Sequence, residues 1–139
     1  MVRFNMSRIA VNQFAILSDT YPDKEITLST ELSFQYSAET RQISCEVGYR
    51  FTASGELFLI LKSQCEFVVH PDDWETFDRK DGLSIPKSVL ELFAVHTIGA
   101  SRGILYCKTE GTPFSQLMIP PINVAGMMSG EADAVSACR

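Results

Sequence analysis

The sequence predicts an α+β fold, because two kinds of pattern occupy different parts of the chain. Up to about residue 69, apolar and polar side chains alternate with the period of strands. From Pro86 to about Tyr106 the apolar residues recur every three or four positions, the period of a helix. Strands that come first, with a helix after them, point to an antiparallel sheet with helical packing rather than to alternating βαβ units.

The first segment, Arg8 to Leu17, changes parity. Ile9 and Val11 fall on one side and Phe14 and Ile16 on the other, so a β-bulge is expected near Asn12-Gln13. Ile26, Leu28, Thr30, Leu32, Phe34 and Tyr36 then alternate with polar neighbours, and Ile43, Cys45, Val47, Tyr49 and Phe51 repeat the pattern. The polar stretch from Ser37 to Gln42 joins these as a hairpin, and Ala53-Ser54-Gly55-Glu56 turns the chain into a third run, Leu57 to Val69. Leu57, Leu59 and Leu61 share one face of that run while Phe58 and Ile60 take the other, which predicts a cover over the outer face there.

After His70, Asp72 and Asp73 suit the first turn of a short helix. Trp74 and Phe77, about one turn apart, either cap the core or offer an aromatic edge to a partner. Pro86 fits the first turn of the long helix, where a missing N–H costs nothing. Val89, Phe93, His96, Ala100 and Gly103 form one face; Leu90, Ala94, Thr97, Ile98, Ser101 and Leu105 form another. Two such stripes call for two packing partners, the second being another subunit. Gly99 and Gly103 each cost about 1 kcal/mol of helix propensity, which predicts close packing against them.

At 139 residues the chain fits one domain, expected over 1–128, and the small polar residues of 129–139 read as a flexible tail. A net charge of -5 without a Lys/Arg cluster argues against nucleic acid. No apolar run approaches the roughly 20 residues that cross a bilayer, and Asn12 and Gln13 interrupt any signal-peptide core, so a cytoplasmic protein without membrane insertion is expected. Cys45, Cys65, Cys107 and Cys138 are too scattered for a local metal pair; the first three read as buried reduced thiols and Cys138 as an exposed one. His70 and His96 have no nucleophile or carboxylate at a catalytic spacing, and no nucleotide or calcium motif occurs. The expectation is a non-enzyme without metal or cofactor.

Several segments together resemble the SecB export-chaperone family over most of the chain. They are Phe4-Asn5-Met6-x-Arg8-Ile9-x-Val11, the step Phe51-Thr52-Ala53, the strand closing in Phe67 and the helix ending in Ser101-Arg102-Gly103. Phe114-x-Gln116-Leu117-x-Ile119-Pro120-Pro121-Ile122-Asn123 completes the match. The resemblance implies a four-stranded antiparallel sheet packed by one long helix, with a short C-terminal helical segment. It also implies dimers or tetramers, and an ATP-independent holdase that binds unfolded polypeptides. One departure is plain: where SecB presents acids to the translocase motor SecA, this chain has Gln13, Leu17 and Ile60, which puts SecA docking in doubt. A chaperone dedicated to one partner, such as a toxin-antitoxin pair, fits as well as an export role, and a non-catalytic oligomeric scaffold is the other reading. Client binding is expected at Phe67, Trp74, Phe77, Leu117, Ile119 and Ile122. Subunit contact is expected at Phe58, Ile60, Phe93, Gly99 and Gly103.

Overall fold

A computed structural model describes residues 1–128 and the strand 134–136. Four long antiparallel strands dominate: β1 (Phe4–Ile16), β2 (Ile26–Ser37), β3 (Gln42–Ala53) and β4 (Glu56–Val69). They lie in the order β1-β4-β3-β2, and β7 (Ala134–Ser136) adds to the far side of β2. A short helix α1 (Pro71–Glu75) and a small hairpin of β5 (Asp78–Arg79) and β6 (Gly82–Leu83) follow the sheet. The long helix α2 (Lys87–Thr109) then packs on β3 and β4, and α3 (Val124–Met128) packs on α2. The fold class is the expected one. The pairing of Ala134–Ser136 departs from the expected loose tail, whose other residues lie outside the described ones.

The β3–β4 turn shows why these strands pair as they do. Ala53 opposes Glu56, and between them Ser54 and Gly55 take φ values of 52° and 77°. Two positive φ angles give the tight turn whose twist matches the flanking strands. Gly55 takes that conformation freely; Ser54 is strained in it.

β1 carries two register shifts, one between Met6 and Arg8 and one between Val11 and Gln13. The second is the expected bulge; the first, at Ser7, carries the same kind of parity change, from Phe4 and Met6 to Ile9 and Val11, and lies outside the segment in which the expectation was framed. Together they keep Phe4, Met6, Ile9, Val11, Phe14 and Ile16 opposite Val69, Phe67, Cys65, Ser63, Leu61 and Leu59 of β4. Directly opposed residues point to the same face, so all six face α2.

A third shift corrects the reading of Phe58. Phe51 opposes Leu59 and Thr52 opposes Leu57, which leaves Phe58 as the extra residue of a bulge. Its ring is buried on the core side, stacked on Phe114 at 5.7 Å. Only Ile60 of the expected outward pair lies on the outer face, buried between its register neighbours Ala15 and Arg50. The rest of that face is a polar network in which Asn12 donates to Glu46 at 2.6 Å and to Gln64 at 2.8 Å.

α2 and β4 run side by side with matched spacing. Phe93 stacks on Phe67 at 4.2 Å, Thr97 neighbours Cys65, and Ser101 Oγ meets Ser63 Oγ at 2.6 Å. Four helical residues advance about 6 Å and two strand residues about 6.8 Å, so contacts recur turn after turn. The small side chains that let the helix approach are Thr97 and Ser101. Thr97 donates to the Phe93 carbonyl at 2.8 Å and Ser101 to the Thr97 carbonyl at 2.7 Å, so neither hydroxyl is buried without a partner.

Two expectations for the helix therefore change. Its apolar residues form one broad stripe, since Val89, Phe93, Ala94, Thr97, Ile98, Ser101 and Leu105 are all buried against the core. Gly99 and Gly103 lie on the opposite side, with nothing within 4 Å of where a Cβ would stand. Pro86 is the residue before the helix, at φ -57° and ψ 141°, rather than part of its first turn, and the helix continues past Tyr106 to Thr109.

Candidate functional site

Most residues expected to meet a client are core residues. Phe67, Trp74, Phe77, Leu117 and Ile119 are buried in one cluster, which corrects their assignment as a binding surface. Trp74 and Phe77 meet edge to face at 5.7 Å, the capping role of the two foreseen. Ile122 is the exception. Half-buried, it lines a cleft of about 200 Å³ with Val95, Ile98, Arg102, Pro121 and Val124. Arg102 shapes that cleft by donating to the carbonyls of Ile119 at 2.9 Å and Pro120 at 2.8 Å, which pins the closing segment to the helix.

Phe58 and Phe93 are likewise corrected as subunit contacts, because both are consumed by the core stacks described above. Gly99 and Gly103 do face solvent, and their surroundings are informative. The Phe4 ring meets His96 at 5.6 Å, and further along α2 Lys108 lies 6.0 Å from the ring of Phe14. β1 therefore runs beside this stretch of helix. Between the two contacts Met6, Ile9 and Val11 share the helix-side face of β1 yet stay 39%, 53% and 40% exposed. The result is an apolar trough between β1 and α2.

The other flank is built around β2. Leu28 and Thr30 are buried, but Leu32 and Phe34 are half-buried and Tyr36 is 58% exposed on the same face. Among the described residues nothing pairs with the outer edge of β2 beyond Ser29. A row of main-chain donors and acceptors thus stands beside an aromatic strip. α3 joins this edge to the Ile122 cleft: Val124 lines the cleft, and Thr30 Oγ1 contacts Met127 Sδ at 3.5 Å.

The titratable groups are occupied structurally. Burial pushes the Cys45 thiol up to about 12 and raises Cys65, while Cys107 is exposed rather than buried as expected; Cys138 lies outside the described residues. The Tyr49 phenol is raised by burial and, among the described residues, its hydroxyl has no hydrogen-bond partner. His70 Nδ1 accepts from the Asp72 amide at 3.2 Å and caps α1, and His96 packs on Phe4. Arg3 donates through its amide and Nε to Asp73, and that hydrogen bonding holds the Asp73 carboxyl below its usual range. Among the described residues no cluster of His, Cys, Asp or Glu is arranged to hold a metal, and no helix is long and apolar enough to cross a membrane.

No protein-family model and no curated protein sequence matches the chain. A solved structure does: the SecB-like chaperone Rv1957 of Mycobacterium tuberculosis, in complex with a ChAD peptide from the Rv1956 HigA1 antitoxin. At 13% identity and a TM-score of 0.53, the match covers 87% of this chain and 91% of that one. The fold is SecB-like. A protein of unknown function from Streptococcus agalactiae matches over 88% of this chain and 99% of its own, at 12% identity and a TM-score of 0.40. The SecB-like fold places the β1 trough and the β2 edge on opposite flanks of one sheet, with α2 packed on the strands between them.

Proposed function

We propose that this protein is a non-enzymatic, ATP-independent chaperone that holds unfolded or non-native polypeptides and acts as a homo-oligomer in the cytoplasm. The observation that carries the reading is the β2 flank. An extended client has unpaired main-chain groups and intermittent large side chains, and the edge of β2 from Thr30 to Ser37 offers the first a partner. Leu32, Phe34 and Tyr36, with the Ile122 cleft beyond α3, receive the second. Main-chain pairing is indifferent to sequence, so many clients are held at modest affinity each.

The β1 trough supports the oligomer. Met6, Ile9 and Val11 leave apolar area that a second copy would cover, and the open surface of α2 at Gly99 and Gly103 would let a partner's backbone approach closely. Service to one dedicated partner is a second reading, favoured by the antitoxin peptide bound to the Mycobacterium tuberculosis neighbour. The chain lacks acids at Gln13, Leu17 and Ile60, which weighs against docking to SecA.

Light scattering with an aggregating test protein examines the proposal. Suppression at near-stoichiometric ratios without nucleotide is the expected result, and unaltered aggregation at several-fold excess defeats it. Capture of bound chains from the native host separates a broad client range from one partner.

A further inference from the structure

An open strand edge binds extended chains only where it is vacant, and part of the β2 edge is already taken. β7 pairs antiparallel with it, Ser136 opposite Thr27, Val135 opposite Leu28 and Ala134 opposite Ser29. We infer that β7 is a built-in competitor for the peptide edge of β2, displaced when an extended client pairs along the strand; this rests on the reading of β2 as the client edge.

The position of α3 makes the competition local. Asn123 Oδ1 accepts from the Gly126 amide at 3.1 Å, and a Cβ on Gly126 would come within 2.8 Å of the Asn123 side chain, so this turn is compact. With Met127 against Thr30, the chain leaves α3 beside the β2 edge. Ala134 comes six positions after Met128, and at about 3.3 Å per extended residue that separation is enough to bring the paired strand to Ser29.

The pairing is also short. Three register pairs are a marginal strand, stable at the edge chiefly because the tail is tethered there at an effective concentration on the order of millimolar. A client gains a foothold on Thr30 to Ser37, where β7 makes no pairs, and peels the tail from Ser29 back toward Thr27 as its own pairing lengthens. Client segments long enough to use both stretches outcompete the tail, and shorter ones are rejected. The same plug shields Thr27 to Ser29 from edge-to-edge pairing with other molecules.

The test uses the full chain with Ala134→Pro and Val135→Pro together. Successive strand residues direct their N–H groups to alternate sides, so the pair removes whichever donor faces β2. Binding of a permanently unfolded, reduced and carboxymethylated protein should tighten about three- to ten-fold, the range expected on removing a weak tethered competitor. Those amides of Thr27 to Ser29 that face β7 should exchange faster in the variant without client, while those bonded to β3 keep their protection. In a second arm, a peptide of residues 129–139 added to the variant should compete with the client. Saturable binding with unchanged affinity, or no competition by the peptide at millimolar concentration, overturns the inference and leaves the chaperone reading standing. Absence of saturable binding by either protein overturns both.

Discussion

β1 and β2 bound the four long strands on opposite sides, and they are finished differently. β1 holds two bulges and leaves Met6, Ile9 and Val11 exposed on its helix side. β2 pairs with β3 over its full length without a register shift. A bulge breaks the regular spacing of main-chain groups, so a twice-bulged edge is a poor template for a long added strand, while its apolar side chains remain available. An unbulged edge keeps an even row of donors and acceptors. On the proposed reading the two edges would bind differently: side-chain packing at β1 would suit one fixed partner, and main-chain pairing at β2 would suit many.

The strongest way to break that division is Val11→Lys. A charge placed in the trough should weaken self-association by about 100-fold, a cost of about 3 kcal/mol, without unfolding the protomer. Sedimentation across a concentration series reads it; an unchanged oligomer, or a wild type that stays at 15.5 kDa throughout, removes β1 from the comparison. Tyr36→Ser combined with Ile122→Ser should do the reverse. Client affinity should fall about 10-fold, roughly 1.4 kcal/mol, with the oligomer intact. Loss of both properties together would show that the flanks are not independent.

Alkaline pH acts on the core that both flanks share. The folded values of Cys45, Cys65 and Tyr49 are raised by burial, so the unfolded chain ionises first as pH increases. The stability these neutral groups contribute is intact below about pH 8.5 and declines as pH rises toward the Cys45 value of about 12. Melting temperature should therefore drop above that point, and Cys45→Ala should flatten the decline; parallel curves for the two proteins would refute this cause. Gly103→Ala is the mildest probe. In the separated protomer it should stabilise the helix by up to about 1 kcal/mol, because its methyl meets open space, while weakening association. Gains in both measurements would place the partner's backbone elsewhere.

Strand alternation was legible wherever one face of the sheet is wet, as along β2 and β3, and the parity slip at Asn12 was legible for the same reason. Phe58 was misread because Leu57 to Leu61 is apolar on every residue, so a bulge there leaves no change of pattern. The helix was assigned two stripes because periodicity records where apolar residues recur and not how wide a surface they meet; the broad face of β3 and β4 takes both. Aromatic size drew attention to Phe67, Trp74 and Phe77, yet Phe67 sits on the core-facing parity of β4 and the other two close edge to face over the same cluster. Tyr36 carried the better signal, as an aromatic at the end of a strand whose last residues outrun the helix. β7 gave no signal, since Ala134-Val135-Ser136 is too short and small to stand out.

The matched spacing of α2 and β4 also limits how this fold can vary. Because four helical residues correspond to two strand residues, a stagger of one whole turn restores the repeat while any smaller slip sets Phe93 off Phe67 and parts Ser101 from Ser63. The helix is thus indexed like a ratchet whose tooth is one turn. An insertion of one or two residues between Phe93 and Ser101 would turn the two halves of the helix out of phase, so that keeping Phe93 stacked on Phe67 would swing Ser101 away from Ser63. Four inserted residues would restore the facing but carry Ser101 about one turn past Ser63, and with it the Arg102 clasp one notch along the closing segment.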